Sequence, residues 1–385
     1  MNNAIIVFNA GSSSLKFSLF SALDYTLLFR GIVDDIQVAP QLSIHNAGKE
    51  LIYEGSGIAV GYKSAVNSFL KWYEGHNDNT IIAAGHRVVH GGREFSRPVK
   101  ISNMIMGQLE ELVPLAPLHQ PYNLETIRAF TALYPSIPQV ACFDTAFHRT
   151  QLPEAENFAL PRSYAEEGII RYGFHGLSYE YIASVLPDYM GAKANGRIIV
   201  AHIGNGASMC AINNGKSVAT TMGFTALDGL MMGTRCGNID PGVLLYLMEA
   251  RGMTATEVGN LLYKESGLKG VSGISNNMRV LLESRATEAT EAINMFCYQA
   301  AKYLAGLIPV LGGLDAIVFT AGIGEGAPAI RNNICNRLSW LGTILDDKAN
   351  NNQQNIIHSP QSRVGIYMIP TNEELVIARQ VLAYR

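Results

Sequence analysis

Excess basic charge is absent from this sequence. Its 29 Lys and Arg stand against 32 Asp and Glu, a net charge of −3. That leaves no electrostatic footprint for nucleic acid. Cysteine is scarce: the five, at 142, 210, 236, 297 and 335, are scattered and form no C-x-x-C pair. This argues against a zinc ribbon or a disulfide framework and for a reducing compartment. Long hydrophobic runs are missing too. Ala4–Phe8 is too short for the core of a signal peptide and has no basic segment before it. The apolar stretch 303–314 is broken by Gly306, Pro309, Gly312 and Gly313, and is too short to span a bilayer. These absences predict a cytoplasmic protein without membrane or nucleic-acid partners.

What is present points to two α/β domains. The chain has 385 residues, 48% of them hydrophobic, enough for about two packed cores at roughly 100–200 residues per domain. Residues 4–20, AIIVFNAGSSSLKFSLF, run from an apolar strand into a turn of small hydroxyl residues and out through a strand carrying Lys16. Such a turn offers backbone N–H groups, hydroxyls and an ammonium to a phosphate. It is not a P-loop, because it joins two strands rather than a strand and a helix. Taken alone, a Ser/Gly hairpin more often only reverses the chain. A second copy of the plan changes the balance. Residues 197–220 read strand, Gly204-Asn205-Gly206 turn, strand, Asn213-Asn214-Gly215 hairpin signal, strand. Two similar domains, each opening on a β-meander, follow from the pair.

Between and after these units the pattern alternates. Helices are expected near 62–73, 103–113, 124–133, 177–185, 242–251 and 254–263, the last opened by a Thr254-x-x-Glu257 capping box. A long apolar helix covers 288–311, ended or kinked by Pro309. Strands fall near 81–89, 139–143, 315–320 and 365–369. Gly322-Ile323-Gly324-Glu325-Gly326 is expected as a Gly-rich loop that follows a buried strand and precedes a helix near 329–341. Residues 346–354, with five consecutive Asn/Gln, are expected as a solvated loop. The final helix, 371–384, opens on Thr371-x-x-Glu374, a second capping box.

The segments NAGSSSLKFSLF, GHRVVHGG, PLAPLHQPYNL, CFDTAFH, RYGFHG, HIGNGAS, GLMMGTRCGNIDPG, FTAGIGEG and TNEEL, in this order over nearly the whole chain, resemble the acetate kinase family. The resemblance implies the actin-like ATPase (ribonuclease H-like) fold: two similar domains, each a mixed sheet flanked by helices, with the active site in the cleft between them. The expected division is 1–147 plus 371–385, with the last helix folding back, and 148–370. The implied activity is reversible transfer of the γ-phosphoryl of ATP to acetate, giving acetyl phosphate and ADP, with Mg²⁺ (Mn²⁺ as an alternative) as metal, in a homodimer.

Each implied residue has a physical reason. A small acid has little surface to bury, so charge and planar geometry must hold it, and the Arg fork suits this. Arg87 and Arg235, both among glycines, match the family's substrate and phosphoryl arginines, and Gly233 and Gly237 are expected to clear space around Arg235; an arbitrary Arg is more often in a surface ion pair worth about 1 kcal/mol or less. His175 matches the histidine that stabilises the transition state, against a plain reading as a hydrogen-bonded core residue. Asp144, at a strand's carboxyl end where ligand crevices lie, matches the active-site aspartate and is expected to orient Arg87 or the acid. Val89, Leu118 and Phe174 match the acid pocket. Asn9 and Glu373 match the metal-associated pair; with Glu374 capping the helix, Glu373 is left to face the site. Ser12, Ser14, Lys16, His202, Gly204, Asn205 and Gly206 are assigned to phosphate. Asn277, Met278 and Arg279 with Gly322–Gly326 are assigned to the nucleoside. His86 and His90 suggest a metal pair only weakly, since the His-x-x-x-His signature is helical.

Departures from the family pattern are few. Asn277 stands where Asp is common and Gly326 where Asn is common, which touches adenosine contact rather than chemistry. Ala226 replaces the usual Pro after Phe224-Thr225 and loosens the acid pocket. One methylene there is worth about 1–3 kcal/mol, so a propionate or other short-chain carboxylate kinase is the alternative within enzymes. The alternative from another class is an actin/Hsp70-like nucleotide-dependent binding protein without a small acceptor.

Overall fold

The small-residue turn is a hairpin at the centre of a large sheet. The computed structural model describes residues 2–76 and 79–385. In it β1 (Asn3–Ala10) pairs antiparallel with β2 (Leu15–Ser21), placing Asn9 opposite Lys16. The sheet continues through β3 (Leu27–Asp34), β4 (Gln41–Asn46) and β5 (Leu51–Gly55) on one side. On the other side follow β6 (Thr80–Val88), then β8 (Gln139–Phe143) with β7 (Val99–Lys100) at the edge. β1, β6 and β8 are mutually parallel. Their carboxyl ends therefore open on one edge, the place where open α/β sheets bind ligands.

The chain divides into two compact units, Met1–Phe147 with Asn372–Arg385, and His148–Thr371. In the first, Phe8, Phe17, Phe69 and Phe130 pack with Tyr62 and Trp72 into one apolar cluster. The helix Glu373–Tyr384 lies against β6 because Gly85 has no side chain: a Cβ there would come within 2.5 Å of Ile377 and 2.6 Å of Val381. That close approach carries Glu373 to the sheet's carboxyl edge.

The second unit has a five-stranded sheet. β9 (Arg197–Ile203), β10 (Ala207–Asn213) and β11 (Lys216–Thr220) form the meander. β12 (Ala316–Thr320) and β13 (Gly365–Met368) extend it in parallel beside β9. The long helix Thr287–Leu311 packs on this meander. Pro309 sits in its last turn without breaking it, and Gly312 ends it in the left-handed conformation. Among the described residues no helix is long and apolar enough to cross a membrane.

Three expectations are corrected. Residues 346–354 are not simply a solvated loop. Asp346 caps a short helix, Asp347–Asn351, whose Asn350 is buried and accepts from the fully buried Arg331. The second capping box does not form: Asn372 caps the last helix through Leu375, and Glu374 Oε2 accepts from Ser18 Oγ at 2.7 Å. The Gly322–Gly326 segment is not an open loop but lies in a short helix, Ala321–Gly326. The Thr254 capping box is present.

His86 is buried on β6, and its Nε2 donates to Gln139 Oε1 at 2.7 Å. Its Nδ1 has no hydrogen-bond partner, so the ring is neutral. Burial lowers its pKa to about 4, the Gln139 bond opposing. The unfolded chain takes up this proton near 6.5 and the folded one near 4, so stability is full above 6.5 and falls between those values. The loss at pH 5 is about 2 kcal/mol from this residue. Urea midpoints at pH 7 and pH 5 measure it, and the gap should narrow in His86→Gln.

Candidate active site

In the first unit the carboxyl ends of three parallel strands deliver Asn9, Arg87 and Asp144 together. Arg87 Nε donates to Asp144 Oδ1 at 3.0 Å and Oδ2 at 3.1 Å, and Nη2 donates to Oδ2 at 2.5 Å. Nη1 donates to Asn9 Oδ1 at 3.1 Å. Each guanidinium nitrogen thus spends one hydrogen, leaving one on Nη1 and one on Nη2 for a bound anion. Asp144 is 1% exposed. Burial works against the charge of Arg87, but Asp144 and then Glu373 outweigh it and hold the guanidinium firmly protonated.

Glu373 is pushed the other way. Burial raises its carboxyl to about 7; Arg87 opposes this, while Asp144 and Glu374 add to it. A carboxylate crowded by two others is short of positive charge, and Asn9 offers an amide oxygen to the same arginine, Arg87. Hard oxygen donors of this kind suit Mg²⁺, which keeps several waters and takes one or two carboxylates. The pair fits the metal on that ground. No cluster of three or more His, Cys, Asp or Glu placed for a metal occurs among the described residues, so His86 and His90 do not form one.

The turn itself is ordered from below. Gly11 N–H donates to Ser14 O at 2.8 Å, and the Tyr62 hydroxyl donates to Gly11 O. Ser12 and Lys16 are exposed and Ser14 half-buried. Asn123, on the helix Gln120–Leu133, bridges β1 and β6: its Nδ2 donates to Ala10 O and its Oδ1 accepts from Val89 N–H. Gln120 pairs in the same way with the His90 backbone. These two amides brace the Arg87 strand end and were not singled out from sequence. Val89 is buried, whereas Leu118 is 40% exposed.

In the second unit His175 has a left-handed backbone, φ 59°, immediately before the helix Gly176–Met190. His148 Nε2 donates to the Phe174 carbonyl at 3.0 Å; burial lowers the His148 pKa to about 4, so the ring is a neutral donor. Phe174 is buried. His175 Nδ1 meets Ser208 Oγ at 2.8 Å, and its ring stacks on His202 with centroids 4.1 Å apart. His202 Nδ1 meets Ser178 Oγ, which also meets Thr371 Oγ1, both at 2.8 Å.

Arg235 and His175 converge on one glycine. A Cβ on Gly206 would lie 2.7 Å from Arg235 Nη2 and 3.4 Å from His175 Nε2. Arg235 Nη1 donates to Ala226 O at 2.6 Å. The glycines next to Arg235 in sequence do other work, which corrects the expectation that they clear space around it. Gly233 admits the Asn205 carboxamide, and Gly237 takes φ 72° against backbone carbonyls of Gly229 and Leu230.

The nucleoside candidates are less uniform. Asn277 caps the helix Met278–Glu283, Met278 is buried, and Arg279 lies outward beside Glu283. Glu325 turns inward: Oε1 accepts from Ala321 N–H at 2.8 Å and Thr371 N–H at 3.1 Å. Gly322 and Gly326 have open space where a side chain would be. Gly204 N–H closes its turn on Gly206 O at 3.0 Å.

Two meander-led α/β units, with arginines and a histidine at the carboxyl edges of their sheets, define a phosphotransferase of the actin-like ATPase fold. Residues 4–379 match the acetokinase family. An acetate kinase of Rhodopseudomonas palustris is 50% identical over 392 residues, covering 99% of this chain and 98% of that one. A solved propionate kinase from Francisella tularensis has 37% identity and a TM-score of 0.95, covering 100% of both chains. Porphyromonas gingivalis acetate kinase has 36% identity and a TM-score of 0.91, covering 99% of both. The chain belongs to the acetokinase family.

Proposed function

We infer that this chain is an acetate kinase, transferring the γ-phosphoryl of ATP to acetate to give acetyl phosphate and ADP, reversibly. The observation that carries the reading is the Arg87–Asp144–Asn9 cluster within a chain 50% identical, end to end, to an acetate kinase. Acetate is ionised at pH 7 and needs no base. Asp144 is therefore assigned to orienting Arg87. The remaining Nη hydrogens of Arg87 hold the acid or the phosphoryl being moved, with Val89, Leu118 and Phe174 as the apolar wall.

The acetate oxygen attacks the γ-phosphorus in line as the bond to the β–γ bridging oxygen breaks. Arg235 and the His175 Nε2 side supply positive charge and a hydrogen bond to the equatorial oxygens, where a loose transition state spreads its charge. Ser12, Ser14, Lys16, His202 and the Gly204–Gly206 turn are assigned to the phosphates. Asn277–Arg279 and Gly322–Gly326 are assigned to the nucleoside, through backbone more than side chains. Asn9 and Glu373 would hold Mg²⁺, which when bound neutralises charge on the β- and γ-phosphates. The helix Pro241–Glu249 buries none of its residues within its unit, and its exposed Val243, Leu245 and Tyr246 favour a homodimer.

Acetate-dependent release of ADP tests this reading. ADP release indifferent to acetate would favour a nucleotide-dependent binding protein. The propionate kinase likeness and Ala226 support a second reading, a propionate kinase. Comparing kcat/KM for acetate, propionate and butyrate separates the two. Acetate is expected to lead, with propionate within about tenfold to a hundredfold.

A further inference from the structure

Ser208 is a fully buried hydroxyl in the second unit; it closes the HIGNGAS segment, whose His202 and Gly204–Gly206 are assigned to phosphate, but has no assigned role of its own. It stands between two groups: its Oγ lies 2.8 Å from His175 Nδ1 and 2.5 Å from the Tyr179 hydroxyl. Tyr179 is itself fully buried, one helical turn after His175, and both lie over β10. A serine hydroxyl has one proton to give and two lone pairs. The chain of three can run in two directions. In one, Tyr179 donates to Ser208 and Ser208 donates to Nδ1. In the other, Nδ1–H donates to Ser208 and Ser208 donates to the phenol.

A phenol is the stronger acid and the weaker acceptor of the two hydroxyls, so the first direction is preferred. It leaves Nδ1 as acceptor and puts the ring proton on Nε2. Nε2 is the atom that faces Gly206 alongside Arg235 Nη2. We propose that Ser208 and Tyr179 are positioning residues that hold His175 in the Nε2–H tautomer, so that a neutral imidazole donates to the phosphoryl group in transfer. This rests on the kinase reading above. The partner of one ring nitrogen setting the role of the other is the general behaviour of functional histidines.

The test is a double-mutant cycle together with a direct readout of the tautomer. Ser208→Ala should lower kcat about tenfold, the effect of one transition-state hydrogen bond misplaced, with KM for acetate and ATP within about twofold. In a His175→Ala background the same change should cost nothing further. Tyr179→Phe, which keeps the ring and removes only the hydroxyl, should lower kcat severalfold in the same manner and serves if Ser208→Ala does not fold. An equal loss from Ser208→Ala in both backgrounds, or no loss, overturns the proposal. Histidine ¹⁵N NMR of the unliganded protein should show His175 protonated on Nε2, and a mixture in Ser208→Ala. An Nδ1–H ring in the unsubstituted protein also overturns it. That measurement needs no substrate, so it stays readable should acetate prove not to be the acceptor.

Discussion

Arg235→Ala is expected to lower kcat about a thousandfold or more while the protein stays folded. An arginine that meets transition-state charge on a transferring phosphoryl is worth about 10³–10⁵. Arg235 Nη2 faces Gly206 beside His175 Nε2, and Nη1 is tied to Ala226 O. The fork is thereby held in place before any ligand arrives. The effect should fall on kcat far more than on KM for either substrate, the mark of an interaction made in the transition state. Arg235→Lys should recover only part, because a point charge cannot reproduce the planar fork. Steady-state kinetics beside a thermal melt check this. Normal turnover in Arg235→Ala would remove the residue from the mechanism.

Arg87→Met should injure both stability and activity. It strips Asp144, 1% exposed, of its cationic partner, and it removes the cation that most opposes the rise at Glu373. Breaking one side of a buried pair costs about 3–5 kcal/mol. The Arg87 side chain keeps 22% exposure, which places this pair toward the lower figure, about 3 kcal/mol. Adding Asp144→Asn to Arg87→Met should return a large part of that stability, because the orphaned charge is gone. It should return no activity, because the substrate fork is gone as well. Urea unfolding of the single and double variants with parallel assays separates the two effects. Equal stability of Arg87→Met and the unsubstituted protein would mean that Asp144 is compensated elsewhere.

The parts of this molecule legible in its sequence are those where local pattern and chemistry agree. The two meanders announce themselves through small-residue turns between apolar strands, and both are present. Asp144 was readable because it follows the wholly buried strand β8. Other features depend on residues far apart in the chain. Asn350 looked like one more solvated amide, yet it is the acceptor that Arg331 needs once that arginine is buried without a carboxylate. Thr371-x-x-Glu374 had the spacing of a capping box, but Ser18, on a different strand, takes Glu374, and Asn372 caps instead. Glu373 is still the carboxylate beside Arg87, reached by another route. Ser208 closes the HIGNGAS segment with no role legible there: only the fold brings Tyr179 and His175 to it.

Acetyl phosphate formation is the most direct measurement. Purified protein incubated with ATP, Mg²⁺ and acetate, then quenched with hydroxylamine, should yield acetyl hydroxamate in step with ADP. The yield should be absent without acetate and near background in Arg235→Ala. ADP appearing with no hydroxamate, or neither product from protein shown to be folded, would contradict phosphoryl transfer to the acid.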